Sequence, residues 1–369
     1  MRRIVLVVPG LVGGPDSESV LRHRLPAFER MAEIGALCKV SPIPLLEAPE
    51  ALWLGLPPSE GQLRQGPLTV AALGADPPAR STHFHVSPLA LVDGRVMALG
   101  ASLTETEARQ VVKTAKRLNT SSLTFVAGDA EDHGLVWESL VDMVTRGPTE
   151  AVGKPISTVM PEGDGDRVLR RFIDDSINLL SEQAFNLLRE EEGLASVNLL
   201  WPWGHGVRLP VPNLALRRGE VVQVESASLR LAGLSRLVGY RHGDRSDLGR
   251  GLNLKLAVLS ERALLAQACI QVIDVPGALR AAGQTEELDW FVHELNRDLI
   301  QPLMDSLPTT PTRLTLIAPG LEAGLACTAE SGRPGSGSAP FDERALDDRS
   351  LSTNDARTLI ERGLAGPEG

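Results

Sequence analysis

The sequence predicts an α/β protein built around a mostly parallel sheet, with a smaller α/β part between the two ends of the chain. Three runs of β-branched and leucine residues carry this prediction, because a run without alternation suits a strand buried on both faces. These runs are residues 4–8, 268–273 and 314–318. Helix-like and strand-like segments alternate between them, as in folds with parallel strands.

The first elements after the opening strand follow from local signals. Residues 26–34 have helical spacing and end before Gly35, and Pro26 suits the first helical position, where its missing N–H costs no hydrogen bond. Residues 37–43 then predict a strand. Residues 45–78 are rich in Pro, Gly and Leu and predict a loop with a short helix.

The next segment predicts a hairpin and a capped helix. Residues 84–97 alternate, and Asp93-Gly94 is a favoured two-residue turn. Thr104 and Glu107 form a capping box that opens a helix. Strand and helix alternation continues through 123–127 and 135–145.

The remaining elements complete the alternating pattern. Residues 168–188 predict one long amphipathic helix, and residues 221–224 predict a strand that is followed by a leucine-rich segment to Val238. A short helix at 353–364 is expected to be capped by Ser352 or Thr353. Residues 331–338 are Gly-, Ser- and Pro-rich and are expected to be mobile.

Composition excludes some functions. The chain has 369 residues and a net charge of −10, which disfavours non-specific nucleic-acid binding. No run of about 18 apolar residues is present, so no membrane span is expected. Three distant cysteines, without metal-ligand spacing, favour the reducing cytoplasm. The oligomeric state is not predicted by any residue.

The aromatic hexapeptide at 201–206 is the most informative stretch of the chain. Trp201 and Trp203 flank a proline, and His205 lies between two glycines. Only five tryptophans are present in the whole chain, so two in six residues are unusual. A stiff aromatic loop of this kind indicates a ligand-facing wall, and the alternative is a packed turn whose tryptophans fill the core.

The motifs along the chain resemble those of the archaeal-type cofactor-independent phosphoglycerate mutases. Residues 198–206, followed by two spaced prolines, resemble that family's Asn and Trp-Pro-Trp-Gly signature. Gly-Lys-Pro at 153–155, Pro-Glu-Gly at 161–163 and Leu-Gly-Ala-Asp-Pro at 73–77 resemble further family motifs. The matches occur in the same order over residues 1–330.

This resemblance implies an alkaline-phosphatase-like fold, in which a central mostly parallel sheet flanked by helices carries an inserted smaller α/β domain. We expect the core domain to comprise residues 1–78 and 199–345, the inserted domain 79–198, and a C-terminal tail or helix 346–369. In family members a serine carries the phosphoryl group, and aspartates and histidines hold two divalent metals. Such ligands suit hard cations, and a metal-bound serine oxygen becomes nucleophilic.

The departures from the family fall on this chemistry. The aspartate ending the first strand is replaced by Gly10, and the late Pro-Asp-His becomes residues 319–321, Pro-Gly-Leu. When the chain is aligned with the family without gaps from Asp76 towards the N-terminus, Gln65 and Gly66 fall at the family's nucleophile motif. The Asp-Glu-Ala-Gly-His motif becomes residues 276–280, and Arg280 in it adds repulsion toward a cation. Asp274 and Glu330 are the weak metal-ligand candidates, and Asp274 is alternatively a strand-end cap.

Other nucleophiles and ligands have weaker support. Thr69 and Ser59 lie near the lost serine, but no histidine or carboxylate is positioned by spacing to activate either. His83 and His85 share one face of a strand, which suits a metal, although ordinary polar strand residues are the commoner case. We therefore assign no catalytic residue and no cofactor.

Residues that suit ligand binding are nevertheless present. Substrate-like candidates are Lys154, Trp201, Trp203, His205, Arg245, Arg250 and Lys255. The last three lie in a glycine-rich segment that could cradle an anion or form a charged surface loop, and Lys154 is either a ligand contact or solvated. The sequence thus predicts an inactive homologue that binds a phosphorylated metabolite or a protein partner. The alternative is an active phosphomutase or phosphatase using Mn, Zn or Mg.

Overall fold

The computed structural model describes residues 1–13, 25–42, 49–56, 63–129, 131–208, 210–320, 323–333, 341–348 and 350–366. Ser59, His23, Leu321 and most of the segment 331–338 therefore lie outside the described residues. The chain divides into two compact units. The first comprises Met1–Gln62, Asn213–Ser228 and Val238–Gly369, and the second comprises Leu63–Pro212 and Leu229–Leu237.

The strands and helices alternate along most of the chain. The strands are β1 (Arg2–Val7), β2 (Ala36–Val40), β3 (Thr82–Val92), β4 (Arg95–Met97), β5 (Leu123–Val126), β6 (His133–Trp137), β7 (Met143–Val144), β8 (Glu162–Gly163), β9 (Leu199–Gly206), β10 (Gln223–Glu225), β11 (Arg241–His242), β12 (Ala268–Val272), β13 (Thr312–Ala318), β14 (Gly324–Glu330) and β15 (Thr353–Asn354). The helices are α1 (Pro26–Ile34), α2 (Glu50–Trp53), α3 (Gln65–Ala72), α4 (Glu105–Ala115), α5 (Pro148–Ala151), α6 (Asp166–Ser181), α7 (Ala184–Glu191), α8 (Leu214–Arg218), α9 (Leu229–Leu237), α10 (Leu256–Leu265), α11 (Val275–Ala281), α12 (Thr285–Leu295), α13 (Gln301–Ser306) and α14 (Ala356–Gly363).

The first unit is built on a mostly parallel sheet with the strand order β11-β10-β12-β1-β13-β14-β2-β15. Strands β1, β10, β11, β12 and β13 are mutually parallel, and β14 runs against both of its neighbours. The carboxyl ends of the parallel strands therefore meet at one edge of the sheet, which is where ligands bind in open α/β sheets.

Both faces of this sheet are covered, which explains why its central strands lack alternation. On one face Ile4, Leu6 and Val8 join the core formed with α1, α10, α12 and α13. On the other face α14 packs against β1 and β13, where Gly363 lies directly against Val5. The last helix is thus part of the first unit's packing. Burial on two faces favours a continuous apolar run.

The second unit contains a smaller antiparallel sheet. Its strand order is β9-β3-β6-β5, and β4 extends β3 as a hairpin. Helix α3 packs on the face that carries His83 and His85, whereas Phe84 and Val86 face a separate apolar core that includes residues of α6. The hairpin turns at Asp93 and Gly94, both with positive φ, as the sequence predicts.

Several predicted elements differ in detail. The helix predicted over 168–188 is two helices, α6 and α7, because the Asn186 side chain donates to the carbonyl oxygens of Leu180 and Val197 at the break. Helix α14 begins at Ala356 and is capped by Asp355, whose side chain accepts from the Thr358 N–H, not by Ser352 or Thr353. The aromatic stretch is strand β9, not a loop.

The compact units and the predicted domain limits are different divisions of the chain. The second unit begins at Leu63 and includes β9, which pairs with β3, whereas the predicted inserted domain is 79–198. The segment 346–369 contributes β15 and α14 to the first unit. Across the described ranges, no helix is both long and apolar enough to cross a membrane.

Candidate functional site

The carboxyl edge of the first unit's sheet holds an arginine where the family's metals would be expected. Arg280 lies on α11, which follows β12, and its Nε donates to the Gly10 carbonyl oxygen at 2.9 Å. Its Nη2 also donates to the Leu11 carbonyl oxygen at 3.4 Å. The guanidinium therefore supplies a positive charge and donors at the end of β1, where a divalent cation would need acceptors.

Two glycines at this edge have no room for a side chain. Gly10 has a φ of +74°, and a Cβ atom on it would lie 2.4 Å from the Cα of Gly277. A Cβ atom on Gly320 would lie 2.1 Å from the Ala323 carbonyl oxygen. Both obstacles are backbone atoms, so a carboxylate at either position would require the chain to move.

Asp274 is the carboxylate that remains at this edge. It precedes α11, and its side chain makes no cap hydrogen bond to that helix. Its side chain is exposed, yet partial desolvation and the charge of Glu50 raise the pKa of Asp274. The sequence offered no signal for this neighbouring carboxylate. Among the described residues, no three His, Cys, Asp or Glu side chains are grouped closely enough to hold a metal.

Glu330, the other weak metal-ligand candidate, lies toward the opposite end of the sheet. It is the last residue of β14 and pairs with Arg313, near the start of β13. The carboxyl end of β13 lies four residues further along, where Ile317 pairs with Ala326. Four residues of strand span roughly 13 Å. Glu330 is held by Arg313 at 3.5 Å and by Arg333 at 3.0 Å. The structure does not bring Asp274 and Glu330 together.

The two tryptophans of β9 are anchored within the second unit. Trp201 is 1% exposed, and its indole N–H donates to the Arg146 carbonyl oxygen at 2.7 Å. The Trp203 indole N–H donates to the Ser87 hydroxyl at 3.0 Å, and its ring meets the ring of His85 edge-on at 5.0 Å. Satisfied indole N–H groups are typical of tryptophans that pack within a core. The ligand-facing role remains a prediction.

The Gly-His-Gly sequence makes β9 irregular and lets α3 approach it. The pairing of β9 with β3 shifts register beside Gly204, which has a φ of +62°. A Cβ atom on Gly204 would lie 2.8 Å from the Cβ of Gln65 on α3. His205 between the glycines shares a hydrogen bond of 3.0 Å with the Thr145 hydroxyl, and burial followed by the charge of Arg64 lowers its pKa.

At the family's nucleophile motif the glycine position is closed in the same way, whereas Gln65 carries a side chain. Gln65 and Gly66 form the first turn of α3, and Gln65 bonds Thr69 and Arg230. A Cβ atom on Gly66 would lie 2.2 Å from the His83 carbonyl oxygen, so helix and strand backbones are in direct contact. This contact leaves no space for a side chain at Gly66.

The structure corrects one prediction about Thr69. Spacing indicated no histidine near it, yet His85 Nδ1 lies 2.8 Å from its hydroxyl, and His85 Nε2 lies 3.8 Å from Asp132. The order Thr-His-Asp is that of a nucleophilic triad. Thr69 is fully buried, and burial lowers the pKa of His85 to about 4 although Asp132 raises it. A substrate has no access to this hydroxyl, so the cluster acts as a structural link between α3 and β3.

Lys154 lies near the hairpin end of β3, six residues along that strand from His85. Its carbonyl oxygen accepts from Val96 on β4, which pairs with Leu91, six residues beyond His85. That separation is on the order of 20 Å along the strand. The Lys154 side chain is exposed and has no hydrogen-bond or ion-pair partner among the described residues.

The predicted anion cradle in the first unit is a loop held by internal ion pairs. Arg245 donates from Nε to the Ala227 carbonyl oxygen, while Arg250 and Lys255 are exposed. The loop is anchored by Arg262, whose guanidinium binds the buried Glu225 at 2.9 Å and Asp247 at 3.2 Å. This buried pair was not anticipated, because residues 225 and 262 are distant in sequence.

Proteins similar to this chain in sequence include archaeal proteins that are named as phosphoglycerate mutases. A 2,3-bisphosphoglycerate-independent phosphoglycerate mutase of Methanothrix thermoacetophila is 23% identical over 324 residues, 83% of this chain and 82% of that protein. A second such mutase, of Methanoculleus marisnigri, is 26% identical over 307 residues, 76% of this chain and 74% of the other. No established protein-family profile matches the chain.

Solved structures share the architecture over essentially the whole chain. A cofactor-independent phosphoglycerate mutase from Thermoplasma acidophilum superposes with a TM-score of 0.62 at 18% identity, covering 99% of this chain and 100% of the mutase. A protein of Pyrococcus horikoshii superposes with a TM-score of 0.70 at 16% identity, covering 100% and 99%. Similarity at this level of identity establishes the fold and leaves the chemistry to the residues.

Proposed function

We propose that the chain is a distant, catalytically inactive member of the cofactor-independent phosphoglycerate mutase family with a binding or regulatory role. The predicted alkaline-phosphatase-like fold class is confirmed by the mixed sheet and by the solved structures that share it. The fold is therefore shown, and the catalytic inactivity and the binding role are what we propose.

The arginine at the end of β1 carries the proposal. Arg280 directs donors at the Gly10 and Leu11 carbonyl oxygens, where the resemblance implies a metal-binding carboxylate. A unit positive charge about 4 Å from a divalent cation opposes binding by several kcal/mol, even at an effective dielectric constant near 20. Two metals in such a site need carboxylate and imidazole donors instead.

The glycine contacts support the same proposal from steric grounds. Gly10, Gly66 and Gly320 occupy positions of the family's metal-binding and nucleophile motifs, and each lies against backbone atoms at a distance that excludes a Cβ atom. The described residues at these positions therefore do not fit a pair of divalent metals or a serine nucleophile. We derive no catalytic step through either.

The role that remains is recognition. The exposed cations Lys154, Arg250 and Lys255 suit a phosphorylated small molecule or an acidic protein partner. We further propose that the protein acts in the cytoplasm, because its three cysteines are free thiols and burial raises the pKa of Cys327 to about 12, which keeps that thiol unreactive.

One observation favours the alternative, an active metal-dependent phosphomutase or phosphatase. Asp274 lies at the expected edge, and its pKa is raised by desolvation and, to a smaller extent, by the charge of Glu50. Two carboxylates can bind one Mg or Mn ion together with phosphate oxygens. The metal content of the protein separates this alternative from the proposal.

The deciding experiment measures metal and turnover on the same sample. The chain and the Methanothrix mutase are purified from Mn- and Zn-supplemented cultures, analysed by elemental mass spectrometry, and assayed with 3-phosphoglycerate and an aryl phosphate. We expect less than about 0.1 equivalent of metal and no chelator-sensitive turnover for this chain, with 3-phosphoglycerate raising its melting temperature without metal. Two bound equivalents with chelator-sensitive turnover would establish the enzyme instead.

A further inference from the structure

A small cleft in the second unit has no role in the chemistry discussed above. It has a volume of about 170 Å³ and lies beside α3, from Pro67 to the turn at Gly74. The turn after α3, the start of β3, the segment after β9 and the end of α9 form its walls. The polar residues that line it are Asp76, His83, Arg208 and Arg236.

Two arginines give the cleft a positive charge within an acidic chain. Arg236 lies over Gly74, where a Cβ atom would be 2.2 Å from its Nη1, and it has no hydrogen-bond or ion-pair partner among the described residues. Arg208 pairs with Asp76 at 3.2 Å, but the two side chains are 59% and 92% exposed. An ion pair this exposed contributes little, so both guanidinium groups remain available to a ligand.

A buried histidine in the wall lacks a hydrogen bond on one nitrogen. The Ser81 hydroxyl donates its single proton to the Pro78 carbonyl oxygen at 2.5 Å. It must therefore accept from His83 Nε2 at 2.9 Å, which makes Nδ1 the unprotonated nitrogen. His83 is 3% exposed, and its Nδ1 is buried without a partner among the described residues.

The neutral state of this ring fits its surroundings. Burial, with a contribution from the nearby charge of Arg208, lowers the pKa of His83 to about 4. Around neutral pH the ring is thus an acceptor that requires a donor. Buried polar atoms in native proteins nearly always have a partner, so the unmet acceptor calls for one.

We propose that this cleft binds a small oxyanion that also carries an O–H group, such as hydrogen phosphate, a phosphate monoester with a hydroxyl on its carbon chain, or a short hydroxycarboxylate. Arg208 and Arg236 hold the anionic oxygens, and the O–H group donates to His83 Nδ1. A water molecule takes about 30 Å³ in the liquid, so a cleft of about 170 Å³ suits an anionic group of about six heavy atoms. This inference deepens the proposed binding role and rests on it, but requires no metal.

The ligand chemistry is tested with matched anions by isothermal titration at pH 7. Inorganic phosphate keeps a P–O–H donor and sulfate has none, and glycolate differs from acetate in the same way. We expect phosphate to bind at least about tenfold more tightly than sulfate, since sulfate leaves His83 Nδ1 unpaired. Glycolate binding without phosphate binding identifies the carboxylate source, and the reverse identifies the phosphate source. Equal affinities within both pairs of anions overturn the proposal.

Variants locate the binding. The double substitution R208Q/R236Q is expected to weaken phosphate binding at least tenfold, whereas R109Q/R217Q, which removes two exposed arginines that do not line the cleft, leaves it unchanged. The ¹⁵N resonance of His83 Nδ1 is expected to shift with phosphate and not with sulfate. The site is refuted if neither phosphate nor glycolate binds, or if R208Q/R236Q binds phosphate as tightly as the unsubstituted protein. Metal content and turnover are measured in a separate experiment, so failure of the inactive-enzyme proposal can be distinguished from failure of this binding site.

Discussion

Glycines decide the candidate site at the scale of single residues. Loss of a carboxylate at position 10 can be read from the sequence, but the reason why the residue is glycine cannot. The structure supplies it: a positive φ and the Gly277 backbone at a distance where a Cβ atom does not fit. The position is therefore committed to close packing between the end of β1 and α11, so restoring the family residue alone would not restore a ligand.

The close packing at position 10 makes the substitution G10D destabilising. We expect it to lower the free energy of unfolding by about 2–4 kcal/mol, because it combines a strained backbone with overpacking. G283D is the matched control, since Gly283 has a similar φ of +69° but open space within 4 Å of where its Cβ atom would lie. Urea unfolding of both variants measures the difference. An equal cost in the two variants would mean that position 10 has room for a side chain.

The tryptophans illustrate what residue scarcity alone can indicate. Their density singled out residues 201–206 in the sequence, and relatives found by sequence are named as the mutases that this segment resembles. The partners of the indole groups, Arg146 and Ser87, come from segments more than fifty residues away. No local pattern identifies such partners, so a packed strand and a ligand wall look the same in the sequence.

Helix α4 shows how far local signals reach at the scale of elements. Both hydrogen bonds of the capping box predicted at Thr104 and Glu107 are present. The Thr104 N–H donates to the Glu107 carboxylate at 2.7 Å, and the Glu107 N–H donates to the Thr104 hydroxyl. The structure adds a partner from α7, because Arg189 binds the same carboxylate at 3.1 Å and is 2% exposed. A residue chosen for a local cap thus also neutralises a buried cation.

The two roles of Glu107 are separable by substitution. We expect T104A to destabilise the protein by about 1 kcal/mol through loss of the cap. E107A is expected to cost about 3 kcal/mol or more, because it also leaves Arg189 buried without its counter-charge. Chemical denaturation followed by circular dichroism compares the two. Similar losses in both variants would show that the pair with Arg189 contributes nothing.

At the scale of the whole molecule, the end of the chain is built into the sheet. Residues 346–369 look like an appended tail in the sequence, because they are short and follow a Gly- and Ser-rich stretch. In the structure β15 pairs with β2, and α14 covers β1 and β13. Arg3 at the start of the chain also donates to the Leu364 carbonyl oxygen.

This packing predicts that the last helix is required for stability. Ile360 is 1% exposed, so I360A is expected to lower the free energy of unfolding by about 2–4 kcal/mol. L216A is the control, since Leu216 is 80% exposed and its loss should change stability by no more than about 0.5 kcal/mol. If I360A unfolds at the same urea concentration as L216A, the segment is a dispensable tail.

The sequence by itself determined the fold class, most strand and helix positions, the resemblance to the mutases, and the absence of the expected side chains at the ends of β1 and β13. These features depend on local hydrophobic period, turn chemistry and residue identity, all of which are written along the chain. Only the tertiary structure decided that Arg280 reaches the Gly10 carbonyl oxygen, that His85 reaches Thr69, and that His83, Arg208 and Arg236 line one cleft. Such contacts join segments far apart in sequence, and their geometry exists only once the sheets and helices have packed.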